Sequence, residues 1–228
     1  MAAGTGSRLA PLTVYTPKPL IRVNGTPMIE SIIRGLHQND IDEIYVVTGY
    51  LKEQFAFLHK EYDAILIENP YYESCNNISS LYAARDHIKN AMILDGDQII
   101  RNPAVLEPFF ERSGYNAVWT DEKTSEWVMT LENGIVTGCS RTGAEKGWQL
   151  FSISRWSDED GKKLRMHLEI EFERKKNRQI YWDDIPMFCY QKEYALGIRE
   201  MKRGDVIEID NYTELVALDS GYGEEKTK

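Results

Sequence analysis

Cysteine and positive charge are both scarce in this chain of 228 residues. Its three cysteines, Cys75, Cys139 and Cys189, are far apart and form no CxxC pair, so we predict neither a disulfide framework nor a zinc site and expect a reducing cytoplasm. Lys and Arg number 27 against 36 Asp and Glu, a formal charge of −9. That balance leaves no broad basic face for nucleic acid or an anionic membrane. No apolar run approaches the roughly 20 residues needed to cross a bilayer, so we expect no membrane insertion.

Other common features are missing as well. The sequence contains no internal repeat, low-complexity segment or Pro/Gly/Ser-rich linker, so we expect a single domain over residues 1–228. It lacks the Gly-x-x-x-x-Gly-Lys-Ser/Thr string of a P-loop, and its four histidines show no metal-ligand spacing. No convincing Ser/His/Asp or Cys/His set stands out. The sequence therefore gives no indication of a P-loop, a histidine metal site or a Ser/His/Asp or Cys/His catalytic set.

The hydrophobic pattern changes along the chain. In the first hundred residues, segments with the spacing of a helix alternate with short apolar or β-branched runs typical of strands. The pattern predicts helices over residues 27–38, 51–60 and 78–87 and strands over 43–48, 64–68 and 91–94. Later it predicts antiparallel strands over 117–120, 127–131, 135–139 and 149–153, a charged helix over 158–176, a strand over 206–209 and a helix over 213–218. The order indicates an α/β protein with a mostly parallel mixed sheet, helices on both faces and a smaller antiparallel part in the second half.

A glycine-rich segment opens the chain. The stretch from Gly4 to Arg8 contains two glycines, two small hydroxyl residues and an arginine, and Lys18 follows between two prolines. Glycine lets successive backbone N–H groups converge on an anion, and the guanidinium adds a forked, permanent positive charge. A flexible N-terminus is the plain alternative. The two prolines that flank Lys18 restrict its backbone, which suits a lysine that holds a phosphate and favours a phosphate site over a flexible terminus.

Two acidic turns follow predicted strands. Asp95-Gly96-Asp97 comes directly after the apolar run that ends at Leu94, and Asp210 follows the last predicted strand. Carboxylates at the C-terminal ends of strands in an open α/β sheet are placed to meet a ligand, and hard oxygen donors suit Mg²⁺. Each also has a simpler reading as a strand-ending turn, because Asp and Gly are frequent turn residues.

The string Ala-Ala-Gly-x-Gly-Ser-Arg-Leu-x-Pro-x-Thr, followed by Pro-Lys-Pro-Leu, resembles the N-terminal signature of the nucleotidyltransferase superfamily that makes sugar nucleotides and CDP-alcohols. The resemblance implies a Rossmann-like nucleotidyltransferase fold, catalytic roles for Arg8, Lys18 and Asp97, and Mg²⁺ held by Asp97 and Asp210. It implies that the loop and Arg8 hold the β- and γ-phosphates while Lys18 contacts the α-phosphate. The loop residues concerned are Ala3, Gly4, Thr5, Gly6 and Ser7. The superfamily places a hydrophobic strand directly before Ala-Ala-Gly, whereas only Met1 precedes it here, so we expect this strand to be missing or cut short.

Five further strings resemble bacterial CTP:phosphocholine cytidylyltransferases, in the same order along nearly the whole chain. They are Gly49-Tyr50-Leu51-Lys52-Glu53-Gln54-Phe55, Asn-Asn-x-x-Ser-Leu-Tyr from Asn76, Ser125-Glu126-Trp127, Tyr181-Trp182-Asp183-Asp184 and Glu208-Ile209-Asp210. The resemblance implies a nucleotide-binding half over about residues 1–115, to which it adds Tyr50, Asn77 and Ser80, and an acceptor-binding half over about 116–228. Ordinary helix capping by Asn77 or Ser79 is the alternative for the Asn-Asn string.

The predicted acceptor site consists of aromatic residues beside carboxylates. Its members are Glu126, Trp127, Tyr181, Trp182 and Asp183. A quaternary ammonium has no N–H donor, so a pocket holds it by cation–π contacts and nearby negative charge. Any one of these aromatic residues has an alternative as a core residue.

Together these features predict a Mg²⁺-dependent enzyme that transfers CMP from CTP to phosphocholine. Phosphoethanolamine and 2-aminoethylphosphonate remain open as acceptors, because a primary ammonium would also use the carboxylates. Two other classes remain open: a non-catalytic nucleotide-binding regulator, and a choline-binding module indifferent to CTP. A homodimer stays open too, and the polar stretch over residues 221–228 leaves open a larger fusion.

Overall fold

The computed structural model describes residues 1–224. Residues 225–228, the end of the polar C-terminal stretch, lie outside that range. The described residues form six α-helices, which are α1 (Met28–His37), α2 (Ala56–Tyr62), α3 (Ile78–Ala83), α4 (Asp158–Glu169), α5 (Tyr212–Leu218) and α6 (Gly221–Glu224).

Twelve β-strands accompany these helices in the described range. In chain order they are β1 (Arg22–Val23), β2 (Thr26–Pro27), β3 (Tyr45–Thr48), β4 (Ile65–Glu68), β5 (Ala91–Leu94), β6 (Gln98–Ile100), β7 (Gly114–Thr120), β8 (Val128–Glu132), β9 (Ile135–Ser140), β10 (Gly147–Trp156), β11 (Gly197–Glu200) and β12 (Val206–Glu208).

The chain folds into two compact units, each made of separate segments. The first unit comprises Met1–Glu73, Asp95–Glu107 and the C-terminal segment from Gly204, and the second comprises Ser74–Leu94 and Pro108–Arg203. The expectation of one domain with a nucleotide-binding and an acceptor-binding half stays a prediction.

Three small sheets and helix α1 organise the first unit. Strands β1 and β2 pair antiparallel, β3 and β4 pair parallel, and β6 and β12 pair antiparallel. The apolar stripe of α1 is fully buried, as its helical spacing predicts, and Gly35 gives room for the side chains of Leu106 and Ile100 against this helix. Burying this stripe is the main reason the segment is helical.

A six-stranded mixed sheet forms the second unit. Its order is β11-β7-β10-β8-β9, with β5 also paired to β10. Strand β10 is ten residues long, so one edge pairs with β7 while the other pairs with β8 near its start and with β5 near its end. The buried rings of Tyr115 in β7 and Trp156 in β10 contact each other edge to face. The Trp182 ring stacks on Tyr115 and meets Trp156 edge to face.

The predicted mixed α/β sheet is confirmed, but antiparallel pairing predominates over parallel pairing. Strand β5, which the alternating pattern assigned to a parallel sheet, runs antiparallel to β10. Only β3 with β4 and β7 with β11 are parallel among the paired strands of residues 1–224. The local pattern predicted β5 as a strand correctly, whereas the long edge offered by β10 decided its direction.

Near the start of the chain a short parallel contact takes the place of a full strand. Ala2 forms an isolated parallel bridge with Thr48, its N–H donates to the Val47 carbonyl at 2.8 Å, and the Tyr50 N–H donates to the Ala3 carbonyl at 3.1 Å. The loop that follows is therefore anchored beside the end of β3. None of the helices in the described range is long and apolar enough to traverse a bilayer.

Candidate active site

The glycine-rich loop lies in the first unit and contains one glycine that geometry requires. Gly6 has φ of 62°, in the left-handed region, and a Cβ there would lie 2.8 Å from the Lys18 Cβ. Its carbonyl accepts from Thr13 Oγ1 at 3.0 Å. In contrast, Gly4, Thr5 and Ser7 are exposed, and a Cβ on Gly4 would meet no atom within 4 Å. The loop thus has one fixed glycine and an open, accessible backbone around it.

The backbone around Lys18 is conformationally restricted. Pro17 and Pro19 flank it, and the Leu20 N–H donates to the Pro17 carbonyl at 2.8 Å, closing a 3₁₀ turn. The side chain is 9% exposed. Two prolines restrict the backbone, so the direction of the side chain is set before any ligand arrives.

Lys18 joins two carboxylates that are distant in the sequence. Its Nζ donates to Asp97 Oδ2 at 2.6 Å and to Asp210 Oδ1 at 3.2 Å, and the exposed Arg8 donates to the same Asp210 oxygen at 2.8 Å. We call Arg8, Lys18, Asp97 and Asp210 the charge cluster. Of the predicted catalytic and metal-binding residues, all four are thus brought together.

Strand pairing explains why the two aspartates meet. Gln98 of β6 lies opposite Glu208 of β12 in an antiparallel pair, so Asp97 and Asp210, which flank this pair, extend beyond the same end of the ladder. The backbone of Asp210 is also held in place. Its N–H donates to Glu214 Oε2 at 2.6 Å, next to the capping box that begins α5.

The pKa values of Lys18 and Glu208 are both raised above their ordinary values. Burial by itself lowers the pKa of Lys18, but the charges of Asp97 and Asp210 and the hydrogen bonds to them raise it more, so the net pKa is raised. Burial raises the pKa of Glu208 to about 8, with the Asp97, Asp95 and Asp210 charges adding to the rise and the Gln98 hydrogen bond opposing it. Burial and the neighbouring carboxylates therefore favour the neutral form of Glu208, while the same carboxylates favour the charged form of Lys18.

The donor set of the charge cluster fits a hard divalent cation. Asp97 and Asp210 direct carboxylate oxygens to one point, the Lys18 Nζ, which is itself a cation. Among the described residues no group of three or more His, Cys, Asp or Glu side chains has the arrangement of a complete metal site. Two carboxylates with positions left for phosphate oxygens and water are what Mg²⁺ usually takes, so these residues fit Mg²⁺ held jointly with a phosphate ligand.

Three predicted nucleotide-binding residues lie outside the charge cluster. Tyr50, in the first unit, donates from its phenol to the Val14 carbonyl at 3.0 Å. In the second unit, Asn77 Oδ1 accepts from the Trp182 N–H at 2.9 Å, and Ser80 is buried in α3. The capping alternative for Asn77 is not what the structure has, since no side-chain cap bond begins α3.

A partly exposed aromatic cluster lies in the second unit. Trp127 contacts Tyr181 and Phe188 edge to face, with ring centroids 5.8 and 5.6 Å apart. Arg141 extends over the Phe188 ring at 3.9 Å and lies 5.8 Å from the Trp127 ring. We call Trp127, Tyr181 and Phe188 the aromatic cluster; it already attracts a cation belonging to the protein.

The carboxylates beside this cluster are committed to protein donors. Buried Asp183 accepts from the Tyr115 phenol at 2.9 Å, and burial, followed by the charge of Asp183, raises the pKa of Tyr115 well above its ordinary value. Asp184 accepts from the guanidinium of Arg141 at 2.9 Å and from the Tyr181 N–H at 2.9 Å. Asp183 and Asp184 thus both already accept hydrogen bonds from donors of the fold.

Two other predicted acceptor residues differ sharply in exposure. Trp182 is 1% exposed and packs between Tyr115 and Trp156, and its indole Nε1 has no hydrogen-bond partner within the described range. Its ring is therefore a core residue in this structure rather than part of an open surface. Glu126 is exposed, and its N–H donates to Thr124 Oγ1 at 3.1 Å.

Sequence reasoning did not single out Arg141, Asp184 or Phe188 as members of the site. Asp184 stood within the quoted Tyr-Trp-Asp-Asp string, so a signal existed for it. Phe188 lies in a π-helical turn, Ile185–Cys189, that no local pattern predicts. Arg141 is a lone arginine after β9, and only the three-dimensional fold brings it to Asp184.

Comparison with known proteins gives a consistent family. The model of the MobA-like NTP transferase domain matches residues 1–200. A 2-aminoethylphosphonate cytidylyltransferase of Lancefieldella rimae is 38% identical over 226 residues, covering 97% of this chain and 91% of the relative. A choline-phosphate cytidylyltransferase of Haemophilus influenzae is 36% identical over 215 residues, covering 92% and 91%. The solved CTP:phosphocholine cytidylyltransferase of Streptococcus pneumoniae superposes with a TM-score of 0.90 at 30% identity, covering 96% of this chain and 95% of that one.

Proposed function

The chain belongs to the MobA-like NTP transferase family, and from that premise we propose that it transfers CMP from CTP to phosphocholine, releasing CDP-choline and pyrophosphate. It is a cytidylyltransferase for acceptors of the phosphocholine and aminoalkylphosphonate type, as its relatives are. The finer choice of phosphocholine rests on the aromatic cluster.

The charge cluster supports the nucleotide side of the reaction. A phosphate monoester has a second pKa near 6, so the acceptor is already largely dianionic at neutral pH and needs no general base. One acceptor oxygen forms a bond to the α-phosphorus while the bond from that phosphorus to the β-bridging oxygen breaks, and pyrophosphate leaves with the electron pair. Lys18 and Arg8 neutralise the charge that develops, and the prolines keep Lys18 in position.

Asp97 and Asp210 are the residues that would hold Mg²⁺ together with phosphate oxygens. When bound, the metal supplies Lewis-acid polarisation of those oxygens. Lys18 bridges both carboxylates and remains charged, so it offsets their repulsion and presents its ammonium to a phosphate once the carboxylates have another cation.

The observation that carries the choice of acceptor is the pairing of partly exposed aromatic rings with carboxylates that already accept hydrogen bonds from the protein. A primary ammonium needs three acceptors, whereas a trimethylammonium needs none and is held by aromatic faces and nearby negative charge. Asp183 and Asp184 already accept from Tyr115, Arg141 and Tyr181. The quaternary ammonium of phosphocholine therefore fits Trp127 and its neighbours better than a primary amine does.

A second candidate acceptor is 2-aminoethylphosphonate, which the 38% identical relative is named for. It would require the carboxylates to release some of their present donors, for example Arg141, whose side chain is half exposed. The chemistry on the nucleotide would be unchanged.

Pyrophosphate release with CTP and Mg²⁺ tests the proposal, run in parallel with phosphocholine, phosphoethanolamine, 2-aminoethylphosphonate and glucose 1-phosphate. We expect the highest kcat/KM with phosphocholine, and we expect Trp127→Leu to lower it about tenfold, since a cation–π contact contributes roughly 1–2 kcal/mol. Trp119→Leu, an exposed tryptophan elsewhere in the same unit, is the matched control and should stay within about twofold. Preference for 2-aminoethylphosphonate would overturn the acceptor, and no release with any acceptor would favour a non-catalytic nucleotide-binding protein.

A further inference from the structure

A separate cavity of about 380 Å³ lies within the second unit, along the edge of the sheet where β7 meets β11. It includes none of the residues of the charge cluster or the aromatic cluster. The segment before β7, the β8–β9 turn and the start of β11 form its walls. Its size is at the lower end of the range for small-molecule sites, which suits a small metabolite better than a nucleotide.

Two glycines on neighbouring strands form part of the cavity wall. Arg155 of β10 pairs with Gly114 of β7, and Gly114 pairs with Gly197 of β11, so the three lie side by side across the strands. A Cβ on Gly114 would lie 2.0 Å from the Gly197 carbonyl oxygen, and a Cβ on Gly197 would lie 2.8 Å from the Arg112 Cδ. The two glycines therefore let the backbones of β7 and β11, and the Arg112 side chain, approach closely beside a buried arginine, so a side chain at either position would disturb this wall of the cavity.

The turn between β8 and β9 forms one wall of this cavity. Asn133 and Gly134 are its two central residues, with φ of 51° and 76°. Positive φ at both positions is typical of a tight two-residue hairpin, whose twist matches that of the strands. The wall is consequently a rigid turn rather than a long loop.

Three arginines, Arg112, Arg155 and Arg199, line this cavity against a single acidic residue, Glu111. Arg155 is 3% exposed and donates to Asn116 Oδ1. Arg199, two residues from Gly197, lies on the same face of β11 and donates to the Phe109 carbonyl. A surplus of arginine at one cavity is notable in a chain with a formal charge of −9.

We propose that this cavity binds a small phosphorylated metabolite or inorganic phosphate, as a site separate from the one used for CMP transfer. Planar guanidinium groups match phosphate oxygens with forked hydrogen bonds, and a partly enclosed site strengthens those bonds relative to water. Arg155 anchors the inner end of the site, and Arg112 and Arg199 close on the ligand from the rim.

Thermal unfolding of the full chain, titrated with inorganic phosphate and with pyrophosphate in the absence of CTP and Mg²⁺, tests this proposal. Arg199→Ala and Arg112→Ala should each weaken the apparent affinity about tenfold, the effect of one charge-assisted hydrogen bond of about 1.4 kcal/mol. Gly197→Ala places a Cβ 2.8 Å from the Arg112 Cδ and so displaces Arg112, and it should weaken binding to a similar extent. Arg174→Ala, an exposed arginine in the same unit, is the control for loss of charge and should bind normally.

Binding at the nucleotide loop is the competing explanation, and Lys18→Ala separates the two. Phosphate-dependent stabilisation that survives Lys18→Ala and is lost in the cavity variants supports the proposal. Stabilisation that disappears in Lys18→Ala and is untouched by Arg199→Ala, Arg112→Ala and Gly197→Ala would overturn it, as would the absence of any phosphate-dependent stabilisation. This result is independent of which acceptor the enzyme uses.

Discussion

Replacing Lys18 with Met removes the common partner of two carboxylates while keeping most of the side-chain volume. In the structure the Lys18 Nζ is 2.6 Å from Asp97 Oδ2 and 3.2 Å from Asp210 Oδ1. Breaking a fully buried ion pair costs about 3–5 kcal/mol, but here the carboxylates are 32% and 33% exposed, so water screens part of their repulsion. We expect Lys18→Met to lower the free energy of unfolding by about 1–2 kcal/mol without Mg²⁺.

The same variant should behave differently when Mg²⁺ is present. A divalent cation at Asp97 and Asp210 replaces the missing ammonium charge, so excess Mg²⁺ should stabilise Lys18→Met more than it stabilises the wild type. Activity should not be restored, because Lys18 neutralises charge during transfer. We expect kcat/KM to fall roughly 10²- to 10³-fold, as when one preorganised donor is lost from other active sites.

Urea unfolding with and without Mg²⁺, together with pyrophosphate release, measures both effects. Lys60→Met, an exposed lysine on α2 of the same unit, is the matched control and should change neither property. Two results would refute the reasoning: a kcat/KM within about threefold of wild type, or a loss of stability that Mg²⁺ leaves unchanged.

Two further predictions follow from backbone geometry and from a buried imidazole. Gly4→Ala should leave thermal stability unchanged, because its Cβ meets no atom within 4 Å, yet raise KM for CTP roughly tenfold if phosphates approach that backbone. Gly6→Ala should cost about 1–3 kcal/mol of stability through its positive φ and its contact with Lys18, and equal melting temperatures for the two variants would contradict this. Burial is the largest cause of the lowered pKa of His167, which Glu193 opposes. The unfolded chain therefore takes up this proton first, so the contribution of His167 to stability should fall as the pH drops below about 6.5. In urea titrations at several pH values, the wild type should lose stability relative to His167→Phe over that range.

Much of the fold follows from local pattern, and the exceptions have physical causes. Helix α1 was predicted within a few residues because its apolar stripe buries one face, and strands β7 to β10 were predicted within a few residues because turn residues separate them. The predicted helix over 158–176 is also present, but it ends as a π-helical turn over Ile170–Arg174. The strands β1, β2, β6 and β11 were not predicted, whereas β3, β4, β5 and β12, which are also at most four residues long, were predicted because each is an apolar run next to turn residues.

The candidate site shows the same division. Arg8, Lys18, Asp97 and Asp210 could be proposed from motifs, and the antiparallel pairing of β6 and β12 is what brings the aspartates to one lysine. That pairing joins positions more than a hundred residues apart in the sequence, which no local pattern contains. Trp182 illustrates the reverse problem, because a string of aromatic and acidic residues does not reveal which ring faces the core.

The most direct test of the proposed function is a ³¹P NMR spectrum of the protein mixed with CTP, Mg²⁺ and phosphocholine. We expect the triphosphate and phosphomonoester signals to decline together as the diphosphate of CDP-choline and free pyrophosphate appear in equal amounts. If phosphocholine remains unchanged while 2-aminoethylphosphonate in a parallel sample is consumed, the proposed acceptor is wrong. If CTP remains intact with both, the transferase account itself is contradicted.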